Sequence, residues 1–215
     1  MPKPAKARRK RGYHHGNLRR ALLDASIPLL REGGPEALTL RAVARAAGVS
    51  QTAPYRHFAD RAALVAAVAE DGFRRLHARL VDAATAPART LGTKPTTARG
   101  GLQAIALAYV RFGLDHPDEY RVMFGGELGR GARQKESARE QVFEFLHGGI
   151  RMLQGQKLVG AGDSYGMALT SWALVHGLVM LAIDGQLSGR TAPTAEGLAL
   201  QATELLMFGM ATRKY

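Results

Sequence analysis

The stretch from Leu38 to Phe58, "LTLRAVARAAGVSQTAPYRHF", restricts the fold of this chain more than any other. Thr39 is an N-cap residue type, and Gly48 tolerates the positive φ that often ends a helix, so the first half predicts a short helix between them. Ser50 is a second N-cap residue type and predicts another helix over 51–57. Two short helices joined by a tight turn containing glycine form a helix-turn-helix. The inner side of the first helix would be Leu40, Val43, Ala44 and Ala47.

The second helix of this motif carries mostly polar side chains. With Ser50 as N-cap, Pro54 is the fourth helical residue and removes only the hydrogen bond to the Ser50 carbonyl, at the frayed end of the helix. The outward groups can meet base edges and phosphates, which predicts a DNA recognition surface. An ordinary helical hairpin with a solvated basic face is the alternative. The outward residues are Gln51, Thr52, Tyr55, Arg56 and His57.

Positive charge is concentrated at the amino-terminal end. The 215 residues carry a formal charge of +12, and residues 1–60 hold twelve Lys/Arg against four Asp/Glu, a local charge of +8. Such a segment on a nearly balanced body indicates a polyanionic partner, either nucleic acid or an anionic membrane surface. Residues 1–16 lack apolar periodicity and predict a flexible basic arm. Its basic cluster is Arg8, Arg9, Lys10 and Arg11.

Composition excludes several other classes of protein. The chain has no cysteine, which excludes disulfides, thiolate nucleophiles and Cys-ligated metals and fits a reducing cytoplasm. Its histidines show no metal-binding spacing, so we expect no metal, cofactor or catalytic residue. No apolar segment follows the charged start, so we expect no targeting signal and a cytoplasmic location. The 17-residue apolar run Met167–Ile183 contains Thr, Ser and His, and favours a buried helix over a membrane span.

The remaining pattern predicts an all-α chain. Residues 17–84 would be the DNA-binding domain with a connecting helix, and the stretch 85–101, rich in Pro, Gly and Thr, a linker. A larger helical domain would occupy 102–215, for which the family resemblance given below implies ligand binding and dimerisation. Its expected helices span about 102–115, 117–124, 133–153, 164–187 and 194–211, with Asp163 and Thr194 as N-caps.

Two features of this second domain predict binding. Trp172 and His176 lie four residues apart on one face of its most apolar helix, and either line a ligand cavity or pack in the core. Tyr109 and Phe112 are further candidates for the pocket. The apolar faces of 164–187 and 194–211 exceed what one small domain must bury. We therefore expect them to pair with a second copy across a two-fold axis.

The amino-terminal sequence "GYHHGNLRRALLDASIPLLREGGPEALTLRAVARAAGVSQTAPYRHFADRAALVAAVAE" resembles the TetR family of transcriptional regulators. "YVRFGLDHPDEYRVMF" and "SWALVHGLVMLAIDG" are similar to the carboxy-terminal domain of its subgroup named for a Trp-His-Gly signature. The resemblance implies a homodimer whose first three helices bind an operator and whose larger domain holds a ligand pocket and the dimer interface. It places Thr39, Tyr55, His57 and Arg61 at phosphates, and Arg41, Gln51 and Thr52 at base edges. Pro54 stands where the family often has Leu, and Arg61 where it often has Lys.

The expected function is therefore a ligand-responsive repressor that binds a palindromic operator as a dimer and is released by a small molecule. Its partners would be double-stranded DNA, a second copy and an unidentified effector, with no membrane. A small helical enzyme or carrier for an apolar ligand is the rival hypothesis.

Overall fold

The computed structural model describes residues 18–85, 98–125, 137–187 and 194–210. All regular structure within these ranges is helical, which confirms the all-α class. The α-helices are α1 (Leu18–Gly33), α2 (Leu40–Ala46), α3 (Arg61–Thr85), α4 (Ala98–Asp115), α5 (Pro117–Phe124), α6 (Ala138–Gly155), α7 (Ser164–Ile183) and α8 (Ala195–Met210). Two 3₁₀ turns, Pro35–Ala37 and Ala53–Arg56, lie before and after α2.

Side-chain caps set the start of several helices, because the first backbone N–H groups of a helix have no partner inside it. The Thr39 hydroxyl accepts from Ala42 N at 3.1 Å and begins α2. Asp163 accepts from the backbone N–H of Tyr165 at 3.0 Å, and Thr194 from that of Gly197 at 3.0 Å. The three predicted caps are confirmed.

The first compact unit of the chain extends to Val65. Its core is built from α1, α2 and the residues that follow, with Leu22, Val43 and Ala44 fully buried and Phe58 nearly so. The turn after α2 depends on Gly48, whose φ is +67°. The next residue, Val49, donates its N–H to the Ala44 carbonyl at 3.0 Å, which closes the turn. The predicted helix-turn-helix therefore begins as expected.

The second helix of the motif differs from the prediction. Residues 51–52 form a turn and only Ala53–Arg56 are helical, as a 3₁₀ turn instead of an α-helix over 51–57. Ser50 is not its N-cap: the side chain lies 3.2 Å from the Thr52 hydroxyl. Pro54 has no N–H for the Ser50 carbonyl, and Ala53 N donates to that carbonyl instead at 3.0 Å. Hydrogen bonds of the tighter 3₁₀ spacing thus replace the α-helical ones.

The second compact unit begins at Ala66, within α3. In it α4 packs against α7 and α8, and α7 also contacts α6 and α8. Gly113 permits the close approach of α4 to α7, because a Cβ there would lie 2.3 Å from Val179 Cγ1. The core contains Val110, Phe112, Tyr120, Met123 and Ile150.

Helix ends in this unit differ slightly from the prediction. Helix α4 begins at Ala98, inside the stretch assigned to the linker, and α7 ends at Ile183 instead of 187. Gly185, with φ of +71°, follows that end. The rest of the linker and the predicted start of the helix at 133 lie outside the described residues.

Helix α7 leaves much of its apolar surface exposed. Its length and composition would allow it to cross a membrane, but these two properties are weak evidence for a membrane helix. Only 22% of its most apolar 18-residue window is buried in this chain. Leu169, Leu174 and Leu181 are exposed on α7, and Leu205 of α8 is 67% exposed. The prediction of a buried helix is therefore incomplete for a single copy of the chain.

Candidate nucleic-acid interface and ligand cavity

The polar residues predicted to face DNA lie on the surface of the helix-turn-helix. Apolar anchors hold that surface in place, since Pro54 and Phe58 are both buried against the first unit's core. Tyr55, between them, is 53% exposed. The exposed set is Thr39, Arg41, Ser50, Gln51, Thr52, Tyr55, Arg56 and His57. These side chains are exposed to an external partner, although the Thr39 hydroxyl also caps α2 and the hydroxyls of Ser50 and Thr52 lie within hydrogen-bond distance of each other.

Arg61 has a different environment from the other predicted contacts. It is half-buried, and its Nε donates to the Leu38 carbonyl at 3.0 Å while its Nη2 donates to the Pro35 carbonyl at 2.7 Å. The guanidinium also forms an ion pair with Glu36, whose carboxylate lies 3.7 Å away. Arg61 therefore stabilises the turn that precedes α2, a role that the sequence pattern did not indicate. The arm residues Arg8, Arg9, Lys10 and Arg11 lie outside the described residues.

The second unit contains a small cavity of about 50 Å³. Apolar side chains from five helices form most of its wall, and none of the described residues that line it is charged. Examples are Leu80 of α3, Ile105 of α4, Val142 of α6, Val175 of α7 and Leu206 of α8. Such a wall favours an apolar ligand over a charged one.

Four of the residues that line the cavity have polar side-chain atoms: Tyr109, Ser171, Trp172 and Thr203. Ser171 and Thr203 donate their hydroxyl protons to backbone carbonyls one turn earlier in their own helices. Trp172 donates its indole N–H to the Tyr109 hydroxyl oxygen at 2.9 Å. The polar atoms are therefore engaged with the protein itself.

Tyr109 is the centre of a hydrogen-bonded group that extends behind the wall. The Tyr120 hydroxyl of α5 donates to Tyr109 at 2.9 Å. Tyr120 has only that one proton, so its 2.6 Å contact with His176 Nδ1 requires the imidazole to donate. We call Tyr109, Tyr120, Trp172 and His176 the tyrosine cluster; it connects α4, α5 and α7.

Burial controls ionisation in the tyrosine cluster. It raises the pKa of Tyr109 to about 12, so the hydroxyl keeps its proton at neutral pH. Burial also raises the pKa of Tyr120. The pKa of His176 is lowered, first by burial and then by the positive charge of Arg139. At neutral pH the group is thus a set of uncharged donors and acceptors.

The cavity includes two of the four predicted pocket residues. Tyr109 and Trp172 line it, whereas Phe112 and His176 do not. Phe112 is buried on another side of α4, where the guanidinium carbons of Arg75 and Arg79 lie 5.9 Å and 5.8 Å from its ring centre. His176 contacts the Tyr120 hydroxyl instead. In this structure neither side chain lines the cavity.

Sequence reasoning missed the ion pairs between α3 and the region around α5. Glu119, only 3% exposed, pairs with Arg75, and Asp115 pairs with Arg79 at 3.0 Å. Since Glu119 adjoins Tyr120, α5 contacts both the tyrosine cluster and α3. No local pattern predicts these pairs, because the partners are 44 and 36 residues apart.

The fold and the exposed polar surface define a helix-turn-helix protein with a separate helical unit that contains a cavity. Residues 22–68 match the family model described as bacterial regulatory proteins of the tetR family. Residues 102–205 match the one described as the tetracyclin repressor-like carboxy-terminal domain. The chain belongs to the TetR family and is a DNA-binding transcriptional regulator, not an enzyme, so the rival enzyme hypothesis fails.

Several known proteins are similar to this chain in fold or in sequence. A protein of unknown function from Rhodococcus sp. RHA1 is 34% identical, with a TM-score of 0.78 over 94% of this chain and 100% of that one. The TetR family transcriptional regulator PfmR from Thermus thermophilus shares the fold, with 18% identity and a TM-score of 0.63 over 90% of this chain and 99% of that one. The nucleoid occlusion factor SlmA of Enterobacter sp. (strain 638) is 27% identical over 79% of this chain and 81% of its own length.

Proposed function

We propose that this protein is a cytoplasmic, ligand-responsive repressor that binds a palindromic operator as a homodimer and leaves it when a small apolar molecule enters the cavity. The single observation that carries the proposal is an exposed polar recognition surface in the same chain as an uncharged cavity. A surface alone would suit a constitutive DNA-binding protein. The cavity supplies a place where a second molecule can change DNA affinity.

DNA reading is assigned to the exposed set around the 3₁₀ turn. Gln51, Thr52 and Arg41 would reach base edges, and Thr39, Tyr55, Arg56 and His57 would contact phosphates. Ser50 lies beside Thr52 at 3.2 Å and would orient it. Arg61 would reach a phosphate only by leaving the carbonyls of Leu38 and Pro35.

The basic arm would add affinity that depends on salt. Its six Lys/Arg in the first eleven residues are suited to phosphates. Each phosphate contact adds about 0.9 to the slope of log affinity against log salt concentration. Deletion of residues 1–11 should therefore weaken binding and flatten this slope.

The homodimer is supported by the exposed apolar side chains of α7 and α8. Leu205 is 67% exposed and Leu181 45%, although both lie on the chain's most apolar helices. A second copy would cover them in a four-helix interface, which explains their exposure without a membrane. Two-fold symmetry would then present two recognition surfaces to two half-sites, about 34–36 Å apart on B-DNA.

Ligand response requires a differential affinity. A molecule that binds equally well to the DNA-competent and the released arrangement shifts no equilibrium. The cavity wall includes Leu80 of α3, the helix that begins next to the recognition surface, and Arg75 and Arg79 of α3 pair with Glu119 and Asp115. These contacts are the ones through which occupancy of the cavity would act on α3.

The deciding experiment is a titration of the purified protein against DNA from its own gene neighbourhood, alongside random DNA of equal length. We expect a salt-dependent preference for one palindromic fragment and a stoichiometry of two chains per site, or a multiple of two. Addition of the true effector should lower that affinity. Equal affinity for both DNAs at every salt concentration would contradict the proposal.

A further inference from the structure

We propose that the effector is an uncharged, largely apolar molecule with a hydrogen-bond acceptor, such as a carbonyl oxygen, to which the Tyr109 hydroxyl donates. This inference rests on the proposed ligand response and names the class of ligand. The class depends on which side chains at the cavity wall still have a proton that they can donate to a ligand.

Three of the four polar wall residues have no proton left for a ligand. Ser171 donates to the Met167 carbonyl at 2.8 Å, and Thr203 to the Ala199 carbonyl at 2.7 Å. Trp172 has one N–H, which Tyr109 accepts. None of these side chains can serve a ligand acceptor without first losing a bond to the protein.

Tyr109 is the exception. Its oxygen accepts from both Trp172 and Tyr120, which occupies its two lone pairs. Its own hydroxyl proton has no acceptor among the described residues. Two donors on one oxygen polarise the remaining O–H bond and strengthen it as a donor. Tyr109 is therefore a strong donor, and cannot accept from a ligand.

The described wall has no charged side chain, which favours an uncharged ligand. Moving an ionised group from water to an apolar site costs many kcal/mol unless an opposite charge is present. Burial also keeps Tyr109 protonated, since its pKa is raised to about 12. No charged side chain of the described wall could pair with a charged effector, and Arg139, whose positive charge acts on Tyr109, is exposed and does not line the cavity. A carbonyl would find one good donor.

The cavity must also open to admit such a molecule. Its volume of about 50 Å³ exceeds the roughly 10–15 Å³ that one water needs, but an engineered cavity of about 150 Å³ is known to hold benzene. Met207 in the wall is a deformable side chain that can move aside. Probes of equal shape are needed, so that the cost of opening cancels in a comparison.

Cyclohexanone and methylenecyclohexane form such a pair, because C=O replaces C=CH₂ on the same ring. The test measures both dissociation constants by calorimetry and takes their ratio, alkene over ketone. Tyr109→Phe alone would free the Trp172 N–H to serve the ketone. The comparison is therefore made in a Trp172→Phe background, between that variant and Trp172→Phe/Tyr109→Phe.

We expect loss of the Tyr109 hydroxyl to lower this ratio about tenfold, the net effect of one hydrogen bond to a buried carbonyl. Thr203→Val, which removes a wall hydroxyl whose proton is already donated, should leave the ratio unchanged. Cyclohexanecarboxylate should bind at least tenfold more weakly than cyclohexanecarboxamide, which has nearly the same shape and no charge. The carbonyl stretching frequency of bound cyclohexanone should be lower when Tyr109 is present than when Phe replaces it.

Three results would overturn the proposal. The first is a ratio that does not change on loss of the Tyr109 hydroxyl, in variants that melt cooperatively and bind operator DNA. The second is binding of neither neutral probe. The third is ¹⁵N NMR evidence that the proton of neutral His176 is on Nε2, which would make Tyr120 donate to His176 and Tyr109 donate to Tyr120.

The proposed ligand response is tested by a separate measurement, the affinity for operator DNA in the presence of each probe. If the ketone binds with the expected preference but leaves operator affinity unchanged, the ligand class stands and the ligand response is wrong. If operator affinity falls equally with ketone and alkene, the response stands and the assigned role of Tyr109 is wrong.

Discussion

Trp172 donates its indole N–H to the Tyr109 hydroxyl oxygen at 2.9 Å, and this bond joins α7 to α4 at the cavity wall. Trp172 is half-buried, whereas Tyr109 is only 3% exposed. Trp172 therefore combines two roles that the sequence left as alternatives. It lines the cavity, and it also packs against the ring of Phe143, 5.9 Å away between centres.

Replacement of Trp172 by Ala separates these roles. We expect a loss of about 3 kcal/mol in the free energy of unfolding, the lower end of the range for buried aromatic residues, because the side chain is only half-buried. The folded fraction should bind the operator normally and respond weakly to effector, since the DNA surface is untouched. Urea unfolding and operator affinity, measured on one preparation, check this. Loss of operator affinity in molecules that remain folded would contradict it.

The recognition surface gives a prediction about specificity. Gln51→Ala should change the preferred base sequence, because an amide side chain can read a base edge. Tyr55→Phe and His57→Ala should weaken binding to operator and random DNA alike, since they are assigned to phosphates. Binding selections on randomised operators measure the first effect and titrations the second. Equal losses on all DNA for Gln51→Ala would remove Gln51 from the base-reading set.

Arg61 gives a prediction that separates structural and DNA-binding roles. Arg61→Lys keeps the positive charge but cannot reproduce the two bonds from Nε and Nη2 to Leu38 and Pro35. We expect it to lower the free energy of unfolding by about 1–2 kcal/mol, because two carbonyls lose charged donors. Arg56→Lys, on an exposed position of the 3₁₀ turn, is the matched control. If Arg61→Lys is as stable as the wild type, Arg61 is not the stabilising residue described here.

The exposed leucines predict the oligomeric state of variants. Leu205→Lys and Leu181→Lys should each weaken the dimer at least tenfold, because burial of one Leu contributes about 1.5–3 kcal/mol. Leu158→Lys is the control, since Leu158 is also 45% exposed but lies between α6 and α7. Sedimentation equilibrium provides the measurement. Equal dimer stability for all three variants would place the interface elsewhere.

The sequence was sufficient to predict those parts of the fold that depend on contacts within one turn of the chain. The hydroxyl of Thr39 and the missing Cβ of Gly48 act on residues within four positions, so α2 and its turn follow from the sequence. The 3₁₀ turn at Ala53–Arg56 was missed although its cause is also local. Ser50 favoured an α-helix, but Pro54 has no N–H to continue one, and Ala53 bonds the Ser50 carbonyl instead.

The cavity could not be predicted in the same way, because its geometry depends on which helices pack together. Tyr109 and Tyr120 lie in different helices, and nothing in their spacing indicates that the two hydroxyls meet at 2.9 Å. Phe112 follows Tyr109 by three residues in the same helix, yet it faces the guanidinium groups of Arg75 and Arg79. The residue types were enough to identify aromatic candidates for the cavity. Only the packing of the helices decides which of them line the cavity and which lie elsewhere in the core.

The last prediction concerns acid and follows from His176. Its pKa is lowered in the folded protein, mainly by burial and secondly by Arg139 of α6, while Tyr120 of α5 accepts its Nδ1 proton. At pH values above the pKa of about 6.5 in the unfolded chain, the imidazole is neutral in both states and does not make the free energy of unfolding depend on pH. Below it the unfolded chain takes up the proton first, so the free energy of unfolding falls as the pH drops toward the lower folded pKa.

His176→Asn tests this, because the amide N–H₂ can still donate to Tyr120 but does not titrate in this range. We expect the stability of wild type and variant to change similarly with pH above about 7, and the wild type to lose more stability than the variant as the pH falls below about 6.5. Urea unfolding at intervals across this range measures the difference, in which contributions common to both proteins cancel. If the two curves run parallel through the acid range, the His176 imidazole is not held neutral by the fold.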